Sequence, residues 1–193
     1  MGTWDPARFD HTDNECAHSR YVIAAHQLRE CAHIIEIGGF KATIDQFVTH
    51  PFESITIIDP FIKPGTPRPG VTYVDKLYQD YDYTELLSKP GKKGLMILDF
   101  MLKQDTEWEG PNDDLKVFTE LVSHMDVVIL DSRKRTTPGY QNYLRAGIIV
   151  EQEMPLLFDV DFQMVFDRDM QQCFDPDARD RFYSGQKFMV YKR

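Results

Sequence analysis

Four short apolar runs, His33–Ile37, Ser54–Ile58, Leu95–Leu98 and Val127–Leu130, each stop at a glycine or an aspartate. Runs this short and this continuous describe parallel strands covered on both faces, because each face needs its own apolar side chains. Parallel neighbours cannot be joined by a tight turn, so the intervening chain has to cross a sheet face, almost always with right-handed sense. The chain is therefore α/β.

The stretches between the runs fit that frame. Tyr21, Ala24, Ala25 and Leu28 recur at spacings of three and four within residues 15–31, which predicts a helix ahead of the first strand. After Gly38-Gly39, the positions Ala42, Ile44, Phe47 and Val48 repeat at helical spacing, so the sequence predicts strand, glycine turn, helix and second strand. KPGTPRPG, at 63–70, is too rich in Pro and Gly for either element. Val71–Val74 reads as a short third strand, Thr84–Leu87 as part of a helix, Leu115–His124 as an amphipathic helix and Tyr140–Val150 as a further one. The last forty or so residues change character: PLLFDVDFQMVF and RFYSGQKFMVYKR read as a closing antiparallel pair. The expectation is a mainly parallel sheet with helices on both faces, within one domain spanning 1–193 whose residues 1–31 form a helical extension.

A formal net charge of −9 argues against a nonspecific grip on nucleic acid, which runs on clustered Lys and Arg; Arg133-Lys134-Arg135 is a short basic run best read as a solvated loop. No apolar run is long enough for a membrane crossing, and residues 1–15 lack the basic start and apolar stretch of a secretory signal, so a cytoplasmic location is expected. Cys16, Cys31 and Cys173 are far apart and form no metal-ligand spacing.

Ligands of open α/β sheets bind outside the carboxyl ends of the strands, which directs attention to Glu36–Ala42, Asp59–Phe61, Asp99-Phe100 and Asp131-Ser132. Gly38 and Gly39 permit a sharp turn and a close ligand approach. Asp59 stands at the end of the second strand, at about the interval after the glycine turn at which an acidic side chain accepts hydrogen bonds from ribose hydroxyls. The spacing of GGFKA does not supply G-x-G-x-x-G, and Glu36 would sit badly beside a diphosphate, which counts against a nicotinamide dinucleotide. The bland alternative is that IEIGG is a buried strand and turn.

With IIEIGGFKA at 34–42 and ITIIDPF at 55–61, the sequence resembles the class I S-adenosylmethionine-dependent methyltransferases. The resemblance implies a Rossmann-like seven-stranded sheet with an antiparallel closing strand, and S-adenosylmethionine as cofactor. By that likeness, Glu36 faces the ammonium group directly or through water, and the carboxylate end of the ligand lies near Gly38, Gly39 and Phe40. Asp59 and Pro60 meet the ribose, and adenine lies between Phe61 and the backbone near Lys76 and Leu77. Phe40, Lys41 and Ala42 depart from the family pattern, which commonly has small residues there.

The same resemblance implies that Asp99 and Phe100 border the cofactor and that Asp99 is also the catalytic, substrate-facing residue. A divalent metal between Asp99 and Asp131, as in catechol-type O-methyltransferases, is a lesser alternative because Ser132 stands where that subgroup has an amide; the other reading is that the acids cap loop ends. DFML is not the Asn-Pro-Pro-aromatic motif that serves base amino groups. The expected acceptor is a small molecule or a protein side chain, without nucleic acid or membrane partners. Alternatives are a transferase or cyclase using the aminobutyrate arm of the cofactor, and a non-catalytic nucleoside-binding module. Tyr78, Tyr81 and Tyr83 either line a mouth over the ligand or form a partly solvated helix start. His11, His18, Tyr21 and His26 either belong to an N-terminal lid or are ordinary helix residues.

Overall fold

The computed structural model describes residues 14–38, 43–62, 68–98, 113–133, 138–162 and 186–193. Helix α1 (Asn14–Gln27) precedes strand β1 (His33–Ile37), a 3-10 turn at Ile44–Gln46 and strand β2 (Ser54–Ile58). Strand β3 (Val71–Val74), a second 3-10 turn at Tyr78–Asp80, helix α2 (Thr84–Ser88) and strand β4 (Lys93–Leu98) follow. Helix α3 (Asp113–Ser123), strand β5 (Val127–Arg133), helix α4 (Pro138–Glu153), strand β6 (Leu156–Phe162) and strand β7 (Gln186–Lys192) complete the chain.

The strands form one seven-stranded sheet in the order β3-β2-β1-β4-β5-β7-β6. The first five are parallel to their neighbours; β7 runs antiparallel to both β5 and β6. This is the expected architecture, including the antiparallel closure. After β3 the chain returns to the other side of β1, so the topology switches between β1 and β4.

Alternation along the strands builds two cores. Ile35, Ile37, Leu95, Ile97, Val128 and Leu130 join Phe118, Leu121, Val122 of α3 and Val150 of α4 on one face. Ile34, Ile55, Ile57, Met96, Val127 and Ile129 join Tyr21, Ala24 and Ala25 of α1, and Leu28 in the turn after it, on the other. The predicted stripe of α1 is thus the buried stripe. The turn that follows α1 comes close to the sheet at Gly94, where a Cβ would collide with the Leu28 side chain. No helix among the described residues is long and apolar enough to cross a membrane.

Two expectations are corrected. The helix predicted from Ala42, Ile44, Phe47 and Val48 is a single turn: the N–H groups of Phe47 and Val48 both donate to Ile44 O, at 2.9 and 3.1 Å, and the described chain then leaves the helical path. Ile44 and Val48 are buried and Phe47 is half-buried, so the apolar pattern reported burial correctly. What it lacked was length, because Pro51 bars His50 from the helical region and β-branched Thr43, Ile44, Val48 and Thr49 are poor helix formers. The second correction concerns β5, which continues to Arg133, so that Asp131 is a residue within the strand, opposite Phe188 of β7, instead of a strand terminus.

Candidate functional site

The registers align the ends of the first three strands. Ile37 pairs with Ile58 and Ile58 with Val74, so Gly38, Asp59 and Asp75 lie side by side, one residue beyond, along the carboxyl edge. Two backbone bonds extend the ladder into this row: Gly38 N–H donates to Ile58 O at 3.0 Å and Asp59 N–H to Val74 O at 3.1 Å. Gly38 has φ of 87°, a left-handed conformation that side-chain-bearing residues rarely adopt. The chain can therefore turn sharply at the edge nearest the switch point.

Asp59 is buried, and its Oδ1 accepts the N–H of Phe61 at 2.7 Å, which folds Asp59-Pro60-Phe61 into a tight turn. Burial pushes its carboxyl above the ordinary value; the Phe61 N–H opposes this and the nearby Asp75 adds to it. Phe61 is 71% exposed, so its ring is not part of the core. Pro60 and Leu77 are half-buried; Asp75 and Lys76 are exposed. Gly38, Asp59, Pro60, Phe61, Lys76 and Leu77 thus all follow the ends of β1, β2 and β3 on one edge.

Glu36 is different. It is fully buried, and both oxygens are engaged by the protein: Tyr21 OH donates to Oε1 at 2.9 Å and Ile44 N–H to Oε2 at 2.7 Å. Burial drives its carboxyl up to about 8, although both hydrogen bonds favour the anion. The Tyr21 hydroxyl is pushed well above its ordinary value, by burial first and then by Glu36. Each oxygen that the resemblance directs to an ammonium group, directly or through water, thus already accepts one hydrogen bond from the protein, and the carboxyl holds the chain at Ile44.

Asp131 is also fully buried, and its carboxylate forms an ion pair with Arg20 of α1. It is not an open strand-end acid available to a metal. Among the described residues, no group of three His, Cys, Asp or Glu side chains could hold a metal ion. Asp99, Phe100, Gly39 and Phe40 lie outside the described residues, as do Lys41, Ala42 and His11. Tyr78 and Tyr83 are core residues, with Tyr83 OH donating to Tyr78 O at 2.8 Å, and half-buried Tyr81 meets Tyr83 edge to face. They do not line a mouth.

Sequence reasoning missed the polar role of Arg20 and Tyr21. Tyr21 was legible as a stripe residue, and a tyrosine on a buried stripe carries a hydroxyl that needs a partner, which was the available signal. Nothing in the sequence paired Arg20 with Asp131, because the two meet only once α1 lies across the sheet.

No family profile matches the sequence, and no curated protein matches it. Solved structures do. The N-methyltransferase NodS from Bradyrhizobium japonicum WM9, in complex with S-adenosyl-l-homocysteine, overlays with a TM-score of 0.62 at 10% identity, over 99% of this chain and 93% of that one. The fold is that of the S-adenosylmethionine-dependent methyltransferases. An rRNA methylase from Streptococcus thermophilus overlays at a TM-score of 0.54 and 8% identity, covering 94% of this chain and 98% of its own. A methyltransferase of the same cofactor class from Mesorhizobium loti gives 0.51 and 11%, with coverages of 89% and 96%. At these identities the likeness is one of architecture, and it extends over nearly the whole chain.

Proposed function

We propose that this chain binds S-adenosylmethionine at the carboxyl edge of β1, β2 and β3 and transfers its methyl group to an acceptor. The observation that carries the reading is the row of Gly38, Asp59 and Asp75, which joins a left-handed glycine turn to an edge carboxylate beside the switch point of a methyltransferase fold. The donor set fits a nucleoside. Asp59 has one oxygen held by Phe61 N–H and would accept ribose hydroxyls with the other, and the exposed Phe61 ring offers a stacking face for a base. The backbone at Lys76 and Leu77 would border the base, and Pro60 keeps the turn short. Gly38, followed by Gly39 and Phe40, would border the amino-acid end; the Gly38 N–H is already held by Ile58, so its contribution is closeness of approach. Glu36 acts behind the turn, not on the ligand.

The bound cofactor would supply an activated methyl on a sulfonium, so the protein's task is orientation and exclusion of water more than acid–base chemistry. Asp99 and Phe100, which follow β4 in sequence, are the residues we assign to the cofactor there, with Asp99 also turned to the acceptor. The unit is read as a single domain over 1–193, with α1 as part of its core cover. The acceptor we favour is a small molecule or a protein side chain, because the net charge of −9 opposes a polyanion; an rRNA methylase shares the fold, so architecture leaves that choice open.

Calorimetry with S-adenosylmethionine and with S-adenosylhomocysteine tests the reading: saturable heat with either supports it, and none with both, from folded protein, overturns it. Turnover is followed by product. S-adenosylhomocysteine marks methyl transfer, methylthioadenosine marks use of the aminobutyrate arm, and binding without either product across small-molecule, peptide and RNA acceptors marks a non-catalytic module.

A further inference from the structure

One side chain of α1 reaches the crossover that leaves the glycine turn at two points. The Tyr21 hydroxyl bonds Glu36 Oε1, whose second oxygen accepts the N–H of Ile44 at the start of the 3-10 turn. The Tyr21 ring stacks on Phe47 at the end of that turn, with centroids 4.9 Å apart and planes 10° from parallel. The turn itself is closed by Phe47 N–H donating to Ile44 O. Both of its ends are therefore held by a residue that precedes the first strand. Next to Tyr21, Arg20 holds Asp131 on β5, so consecutive side chains of α1 grip β1 and β5 across the intervening β4.

This arrangement stands where a crossover helix was expected. A helix after β1 would carry its own register and lie down on the sheet by its apolar stripe. A single turn has too few bonds to fix its own position. We propose that Tyr21 is a positioning residue for the cofactor site, setting the turn from Ile44 to Phe47 through Glu36 and Phe47 without touching the ligand. The claim for affinity rests on the proposed S-adenosylmethionine site; the claim for the turn does not.

The two are separated by experiment on the full chain. In ligand-free protein, amide exchange at Ile44 is compared between wild type and Tyr21→Phe, which keeps the ring stack and removes only the hydroxyl. Exchange at Ile44 is expected to rise about three- to tenfold, the size of one lost buried hydrogen bond, with no change at Val128 or Leu130 in the distant half of the sheet. In calorimetry, Tyr21→Phe is expected to weaken S-adenosylhomocysteine binding by a similar factor, and in a Glu36→Met background, where the link is already cut, the same change has no further effect. A residue of purely structural importance would lower the melting temperature and leave affinity below that temperature unchanged. Wild-type exchange at Ile44 in Tyr21→Phe overturns the inference, and so does unchanged affinity despite faster exchange. If the wild type binds neither S-adenosylmethionine nor S-adenosylhomocysteine, the proposed function falls along with the affinity claim, and the exchange data alone decide whether Tyr21 holds the turn.

Discussion

The two halves of the sheet are covered by different means. Between β4 and β5, and again after β5, the chain makes full helices whose buried described residues are apolar: Phe118, Leu121 and Val122 on α3, Ala146 and Val150 on α4. Between β1 and β2 the described residues make one 3-10 turn, and the face above is covered by α1, which comes from before the first strand. Most of the buried polar groups among the described residues lie in that half: His33, Glu36, Thr43, Asp45, Thr56 and Asp59, against Lys93 and Asp131 on β4 and β5. Apolar helices can find their own place on a sheet by burial, whereas a short polar crossover needs directional bonds from a neighbour. The half that carries the candidate site is thus the one held by specific hydrogen bonds.

The comparison can be broken most forcefully in the helical half. Phe118→Ala should cost about 3–5 kcal/mol of stability, seen as a lower denaturant midpoint, because it empties a fully buried ring position, yet cofactor affinity measured well below the transition should hold. An equal loss of affinity would show that the two halves are not separable. In the other half, Gly38→Val forces a β-branched residue into φ of 87°; binding of S-adenosylmethionine should weaken at least about a hundredfold while circular dichroism still reports the folded sheet. Retained affinity would remove the turn from the site. Asp59→Ala should weaken binding by about 1.5–3 kcal/mol, the range for hydrogen bonds to a charged group, and calorimetry with no change would move the ribose site elsewhere.

Acidity offers a further way to sharpen the contrast. The carboxyl of Glu36 is raised by burial from its ordinary value of 4.5 to about 8, so the folded chain keeps a proton that the unfolded chain releases. Its contribution is fully present below pH 4.5 and is lost as pH climbs through about 8, at up to about 1.4 kcal/mol per pH unit for one proton. Glu36→Gln mimics the protonated acid, with its amide oxygen accepting Ile44 N–H and its amide nitrogen donating to the Tyr21 oxygen. Melting curves from pH 5 to pH 8 should therefore be flatter for Glu36→Gln than for the wild type; parallel curves would mean that Glu36 does not titrate in this window.

Much of the architecture was readable in advance. β1, β2 and β3 begin and end where the apolar runs do, and the antiparallel closure follows from the alternating final segments. Of the candidate site, Gly38 and Asp59 were legible because a glycine turn and a strand-end acid are local facts, whose adjacency follows once the two strands pair in register. The crossover was misread because Ile44, Phe47 and Val48 do become buried, and burial at helical spacing does not require a helix when a proline cuts the segment short.

What local chemistry dictated here is the parallel sheet, its strands and their antiparallel closure, and the two edge residues proposed to meet a nucleoside, since strand burial and turn conformation depend on neighbours in the chain. Three-dimensional packing alone decided the fate of the acids. Glu36 and Asp131 are alike in sequence, each a lone carboxylate near the end of an apolar run, and both are consumed by α1 because Arg20 and Tyr21 arrive above them. A carboxylate in a low-dielectric interior must find a donor, and which donor reaches it is a property of how a distant helix lies on the sheet.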